Sequence, residues 1–127
     1  MIQTLPLSAE PGRTAAATLR QPLSTRALGL GDSFTAMDGG AASLGYNPAG
    51  TSQLKRPQLE TTYTPGLVDD NFSFLGYAHP LAMATLTAGF IYYDGGTIDL
   101  NLSNGVRSRR KAQQDMIGMA GVSAPLG

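Results

Sequence analysis

The chain has 127 residues, 42% of them hydrophobic and only 14% charged, with 9 basic and 9 acidic side chains and a formal net charge of zero. This is about one domain's worth of chain, and it carries no basic field of the kind general nucleic-acid binding requires. The absence of Cys and the single His exclude disulfide scaffolds, thiolate metal sites, Cys nucleophiles and multi-His centres.

No paired catalytic constellation can be assembled from such a set, so no enzyme, cofactor or metal site is predicted. No run approaches about 18 apolar residues, and no transmembrane helix is expected. Residues 1–26 lack the basic start and long apolar run of a secretory signal, since the longest run is Ala15-Ala16-Ala17. Pro6, Pro11, Gly12 and Pro22 interrupt any long helix. Residues 1–25 are therefore expected to form a flexible N-terminal arm, with one short helical stretch around Thr14–Leu19.

Arg26–Met37 (RALGLGDSFTAM) reads as an extended segment with a turn. Leu28, Leu30 and Phe34 alternate with small residues there, and Gly29 and Gly31 permit close backbone approach. Asp38-Gly39-Gly40 is a break. Ala41–Tyr46 predicts one helical turn, ended before Pro48 because the residue preceding a proline avoids the α region. A second short helix is expected over Thr51–Lys55, starting from Gly50 or Thr51 and stopped by Pro57.

After Pro57 the period becomes two. Gln58–Thr64 sets Leu59, Thr61 and Tyr63 on one face. Asn71–His79 sets Phe72, Phe74, Gly76 and Ala78 against Ser73, Leu75, Tyr77 and His79. Thr85–Asp94 sets Leu86, Ala88, Phe90 and Tyr92 against a face of Thr, Gly, Ile and Tyr. Thr97–Leu102 alternates again and either extends the strand across a bulge or forms a small hairpin. Arg107–Lys111 is the one basic cluster, and Gln113–Ala124 is a fourth long strand.

The second and fourth long strands end in similar tags, Tyr77-Ala78-His79-Pro80-Leu81-Ala82 and Val122-Ser123-Ala124-Pro125-Leu126-Gly127, which suggests a repeated hairpin. Pro80–Ala84 is a tight connection, whereas Gly95–Ala112 is long. Short turns at one end and long loops at the other, joining strands of about 9–11 residues, are the pattern of an outer-membrane barrel. Alternation alone also fits a soluble β-sandwich. About four strands cannot close a barrel, so the chain is expected to be the N-terminal part of a longer one or to pack on something else.

Several residues invite a functional reading with a plainer one beside it. Arg107, Arg109, Arg110 and Lys111 form either an outer loop that contacts lipopolysaccharide phosphates or a solvated loop. His79 before Pro80 reads as a turn or interface residue. Asp69, Asp70 and Asp94 lack the loop pattern of a calcium site. Gly29-x-Gly31 lacks the third glycine of a dinucleotide fingerprint, and Ser33 lacks a nucleophile-elbow frame. Tyr92 and Tyr93 suit either a membrane-interface belt or ordinary sheet packing. Asn47-Pro48-Ala49-Gly50 is, on local grounds, a helix stop and turn.

Residues 26–82 resemble the N-terminal region of PorV/PorQ-type outer-membrane proteins, relatives of the long-chain fatty acid transporter (FadL-like) barrels. The resemblance is carried by Arg26-Ala27-Leu28-Gly29-Leu30-Gly31, Phe34-Thr35-Ala36, Ala41-Ala42-Ser43-Leu44, Tyr46-Asn47-Pro48-Ala49-Gly50, Gln53-Leu54, Pro57, Tyr63-Thr64-Pro65 and Phe74–Leu81. It implies an all-β fold, the N-terminal portion of an up-and-down transmembrane β-barrel of about fourteen strands when complete. It also implies a plug-like segment over residues 26–56, with Asn47, Pro48, Ala49 and Gly50 as plug motif, followed by antiparallel hairpins over 57–127. The function implied is transport of hydrophobic or lipid-linked cargo, or protein secretion, in the bacterial outer membrane. Its partners would be outer-membrane lipid, lipopolysaccharide or a hydrophobic ligand, and secretion-system proteins. The alternative is a soluble β-rich binding or structural module without catalytic activity.

Overall fold

The computed structural model describes residues 17–31, 33–36, 39–67, 69–101, 105 and 107–125. Strands form where the period-two alternation is cleanest: β1 (Gln58–Pro65), β2 (Asn71–Pro80), β3 (Thr85–Asp94) and β6 (Gln114–Ser123). They make one antiparallel sheet in the order β1-β2-β3-β6. The fold is all-β and the sheet is open, with β1 and β6 as its edges.

The two similar tags lie at the same rim, because Thr85 pairs with both Pro80 and Ser123. The turn between β2 and β3 is tight, closed by Leu81 N–H donating to Ala84 O at 2.7 Å. At the opposite rim the long connection is a second hairpin, β4 (Thr97–Asn101) with β5 (Arg107–Lys111). It continues the β3–β6 register: Asp94 faces Gln114 and Thr97 faces Lys111. The join is held by Gly95 N–H to Gln113 O (2.8 Å) and Ala112 N–H to Gly96 O (2.9 Å). Gly96 takes φ +71° there, which glycine adopts without a Cβ penalty. The basic cluster expected in a loop is therefore a strand, because Thr97–Asn101 offers it a full antiparallel ladder.

The segment before β1 departs further from the sequence reading. Arg26–Met37 was expected to be extended, but α1 (Thr25–Gly29) begins it. Ser24 caps this helix, its Oγ accepting from Ala27 N–H at 3.1 Å. The stretch expected to be helical around Thr14–Leu19 is a 3-10 helix over Ala17–Arg20, and its first residues lie outside the described ones. Nor does the arm run to residue 25, because Leu23 is 4% exposed and belongs to the core. Ala41–Gly45 is a 3-10 helix near its expected bounds. The helix expected over Thr51–Lys55 starts earlier, as a 3-10 helix over Pro48–Gln53. Asn47 takes the capping position and Pro48, which lacks an N–H to satisfy, fits the first helical position.

Alternation divides the sheet into two unlike faces. One face carries Phe72, Phe74, Gly76, Ala78, Thr85, Thr87 and Ile91, and the leader (the described residues of 17–56) packs on it. Leu23, Ala42, Phe72, Phe74 and Ile91 form the main cluster, flanked by Tyr46, Tyr93, Ile117 and Met119. Ala41, Leu54 and Ala78 form a second. Among the described residues nothing covers the other, bare face.

Candidate functional site

The leader meets the sheet over a lane of inward-facing glycines. Gly76 pairs with Gly89 across β2 and β3, and Gly121 lies on β6 beside Thr87. A Cβ at Gly76 would lie 3.1 Å from Ala41 Cβ. One at Gly89 would lie 3.3 Å from Leu44 Cδ2, and one at Gly121 2.7 Å from Leu44 Cδ1. The glycines thus make room for the Phe74 ring, which would lie 2.6 Å from a Cβ at Gly76 and 3.2 Å from one at Gly89, and admit the 3-10 helix Ala41–Gly45 close to the sheet backbone. Glycine inside a strand weakens it, so three in adjacent strands mark a surface shaped for what lies on it.

Polar contacts fasten the same segment. Glu60, on the inward face of β1, accepts from Ala42 N–H at 3.0 Å, satisfying a donor in the first turn of a helix too short to satisfy its own. Thr62 Oγ donates to Leu23 O at 2.8 Å, and Tyr46 OH accepts from Leu23 N–H at 2.9 Å. At the other edge Asp115 of β6 accepts from Thr18 Oγ and from Gln113 Nε2. The two carboxylates on the inward face of the sheet, Glu60 and Asp115, therefore both hold the leader.

The Asn47-Pro48-Ala49-Gly50 turn is built into this docking. Asn47 Oδ1 accepts from Ala49 N–H and its Nδ2 donates to Thr35 O, each at 3.2 Å. Gly50 O accepts from Gly39 N–H at 3.2 Å. The following residue, Thr51, is buried: it donates to Pro48 O (2.8 Å), lies 2.6 Å from Ser123 Oγ, and accepts from Thr87 Oγ at 3.3 Å. This cluster joins the turn to β3 and β6, and all three hydroxyls have partners. Beside β1 the fit is looser. A cleft of about 590 Å³ lies between Arg26, Phe34, Gly40 and Glu60, with the Arg26 guanidinium 6.0 Å from the Phe34 ring centre.

The bare face is mainly apolar, with Thr61, Ser73 and His79 its polar members short of the rim. Across the sheet it reads Leu59, Tyr77, Ala88 and Ala120 in one row, then Thr61, Leu75, Phe90 and Gly118, then Tyr63, Ser73, Tyr92 and Met116. His79, Leu86 and Val122 complete it toward the tight turn. None of these positions holds Asp, Glu, Lys or Arg. Leu59 is 71% exposed, Tyr63 67% and Val122 68%. A shallow groove of about 600 Å³ runs over Ala88 and Ala120 between Tyr77, Leu86 and Val122. Of the two tyrosines read as a belt, Tyr92 lies on this face and Tyr93 turns inward to the core. His79 Nδ1 lies 2.9 Å from Tyr77 OH at the turn end.

The bare face ends in a polar chain toward the long hairpin. Gln114 Nε2 donates to Tyr92 OH at 3.0 Å, and Tyr92 OH donates to Asp94 at 3.3 Å. Lys111 Nζ lies 3.9 Å from Asp94 Oδ2. Arg109 Nε donates to Asp99 Oδ1 at 3.0 Å. That hydrogen bond and the charge of Asp99, with a smaller contribution from Asp69, raise the Arg109 pKa further above its ordinary value. Among the described residues, Arg107 and Arg110 have no ion pair, and no group of three or more His, Asp or Glu is placed to hold a metal ion.

Of the residues that fasten the leader, Asn47 and Gly50 belong to the motif singled out in the sequence, whereas Glu60, Thr62, Asp115, Thr51, Thr87 and Ser123 were not singled out as a site. Their signals were present: a lone acid on each edge strand, and glycine recurring at inward positions. What these residues define is an antiparallel sheet with one face occupied by its own leader and the other left mainly apolar, its one acid, Asp94, lying at the rim. No protein-family model, no curated protein and no solved structure matches the chain.

Proposed function

We propose that the chain forms wall strands and an inward plug of a transmembrane β-barrel of the PorV/FadL-like type in the bacterial outer membrane. There it serves passage of hydrophobic or lipid-linked cargo, or protein secretion. The single observation carrying this reading is the mainly apolar face, free of charge short of Asp94 at its rim, which spans the full width of the sheet while the opposite face keeps Glu60, Asp115 and the Thr51–Thr87–Ser123 hydroxyls. A water-soluble monomer rarely leaves a contiguous apolar patch larger than a few hundred Å². Facing hydrocarbon, the same side chains carry no such cost, and polar groups belong inside.

Strand length supports the same reading. β2, β3 and β6 have 10 residues each. At about 3.3 Å per residue each extends about 33 Å. Tilted by about 40°, that covers a height of about 25 Å, the apolar band of such barrels. Tyr63 and Tyr92 share a row at one margin of the bare face, and Tyr77 with His79 stands near the other, as interfacial aromatics do. In this arrangement the leader occupies the lumen, fastened to β3 and β6 and, through Glu60 and Thr62, to β1, with the cleft beside Arg26 and Phe34 left open.

The test is cell fractionation of the native organism, with heat-modifiable gel mobility of the membrane-extracted protein. The expected result is outer-membrane localisation with a compact band that shifts on boiling. Recovery solely from the soluble fraction, as a monodisperse species without detergent, refutes the reading.

A further inference from the structure

The four cations of the β4–β5 hairpin are not equivalent, and their register sorts them. Arg109 lies opposite Asp99 and pairs with it, and Lys111 lies near Asp94. Arg110 faces Ile98 instead, so the two share the other face of the hairpin, next to the Leu100–Ser108 pair. Ile98 is 53% exposed and Leu100 44%, and Arg110 is exposed with no ion pair among the described residues. The Arg109 face thus holds two cations with a nearby carboxylate and Arg107, opposite Asn101, which has no ion pair among the described residues and no aliphatic neighbour across the ladder. The other sets the Arg110 guanidinium, without an ion pair among the described residues, beside two half-exposed aliphatic side chains.

The position of this face is equally specific. The hairpin extends the β3–β6 ladder without change of register, beyond the rim marked by Tyr92. Arg110 pairs with Ile98, six positions past Tyr92, about 20 Å further along the strand. We propose that the Arg110–Ile98–Leu100 face binds a phosphorylated glycolipid of the lipopolysaccharide class. The guanidinium takes a phosphate in a two-pronged contact, and the aliphatic pair lies along the adjoining lipid. This inference rests on the membrane-wall reading above and narrows the expected four-residue contact to one face of the hairpin.

The whole chain, refolded in detergent, is offered to phosphatidylcholine vesicles with and without lipid A, and binding is read by flotation. Lipid A raises the apparent affinity, and the gain shrinks as salt is added. Arg110→Gln lowers affinity for lipid A vesicles about fivefold, one cation's share at an anionic surface, and leaves binding to pure phosphatidylcholine unchanged. Lys55→Gln, which changes net charge equally, leaves the gain intact. So does the charge-neutral double change Asp99→Asn with Arg109→Gln. Equal binding to both vesicle types, or equal losses from Arg110→Gln and Lys55→Gln, overturns the inference while the wall reading stands. Loss of the gain on adding inorganic phosphate at matched ionic strength assigns the face to free phosphate and also overturns it. No association with either vesicle removes the wall reading, and this inference with it.

Discussion

Leu44 is held between two glycines, and that contact predicts a change of sign. Its Cδ2 would lie 3.3 Å from a Cβ at Gly89, and its Cδ1 2.7 Å from a Cβ at Gly121. Gly121→Val therefore drives a branched side chain into Leu44, whose other methyl already lies over Gly89 and leaves the side chain little room to shift that way. Overpacking of this kind costs about 1–3 kcal/mol. Against it stands the better strand propensity of Val, at most about 1 kcal/mol. The overpacking wins, and the net loss of about 1–2 kcal/mol raises the undocked leader population about tenfold, since about 1.4 kcal/mol is one decade. Leu44→Ala alone leaves a cavity and costs about 2–5 kcal/mol. In that background the clash is gone, and Gly121→Val becomes neutral or stabilising.

The assay is urea unfolding in detergent followed by circular dichroism, with trypsin cleavage after Arg20 and Arg26 reporting the docked leader. A Gly121→Val cost equal in both backgrounds refutes the argument, because two residues that do not touch contribute additively.

Further outcomes follow from the same docking surface. Thr51→Val keeps the shape but removes the hydroxyl shared by Pro48 O, Thr87 and Ser123. It is expected to cost about 1–3 kcal/mol by urea unfolding, and a loss below a few tenths would contradict the assigned bonds. Glu60→Leu leaves Ala42 N–H without its acceptor, whereas Glu60→Gln retains one. Cleavage after Arg26 is expected to quicken in Glu60→Leu and to stay near the parent rate in Glu60→Gln. Asn47→Ala removes a cap, with an expected loss of about 1 kcal/mol measured the same way. Phe90→Arg, in the middle row of the bare face, is expected to cost about 2–4 kcal/mol of insertion into vesicles. An unaffected insertion yield, with improved solubility in buffer, would mean that this face meets water.

Much of the sheet was legible because strand alternation is a local property. Thr85–Asp94 matches β3 at both ends, and the partition of Leu86, Ala88, Phe90 and Tyr92 from Thr85, Thr87 and Ile91 follows from period two alone. The leader was harder to read. Alternating Leu28 and Leu30 resemble a strand, yet both are exposed on or beside α1, where capping by Ser24 and burial of Ala27 outweigh the pattern. Asn47 resembled a helix stop, but with Pro48 behind it the same residue starts a 3-10 helix, since an N-cap and a turn use the same side-chain oxygen. Arg107–Lys111 carried too many charges to resemble a strand. Its partner across the hairpin supplies the ladder that its composition does not advertise.

The amino-acid sequence by itself determined that the protein is built from antiparallel strands with one face free of charge except Asp94 at its end, because each residue's side of a strand depends only on its parity. Only the tertiary structure decided which face the leader covers and which cations of the hairpin pair with a carboxylate. Those depend on pairings such as Glu60 with Ala42, Thr51 with Ser123 and Arg109 with Asp99, which lie 18, 72 and 10 positions apart and exist only once the strands are in register.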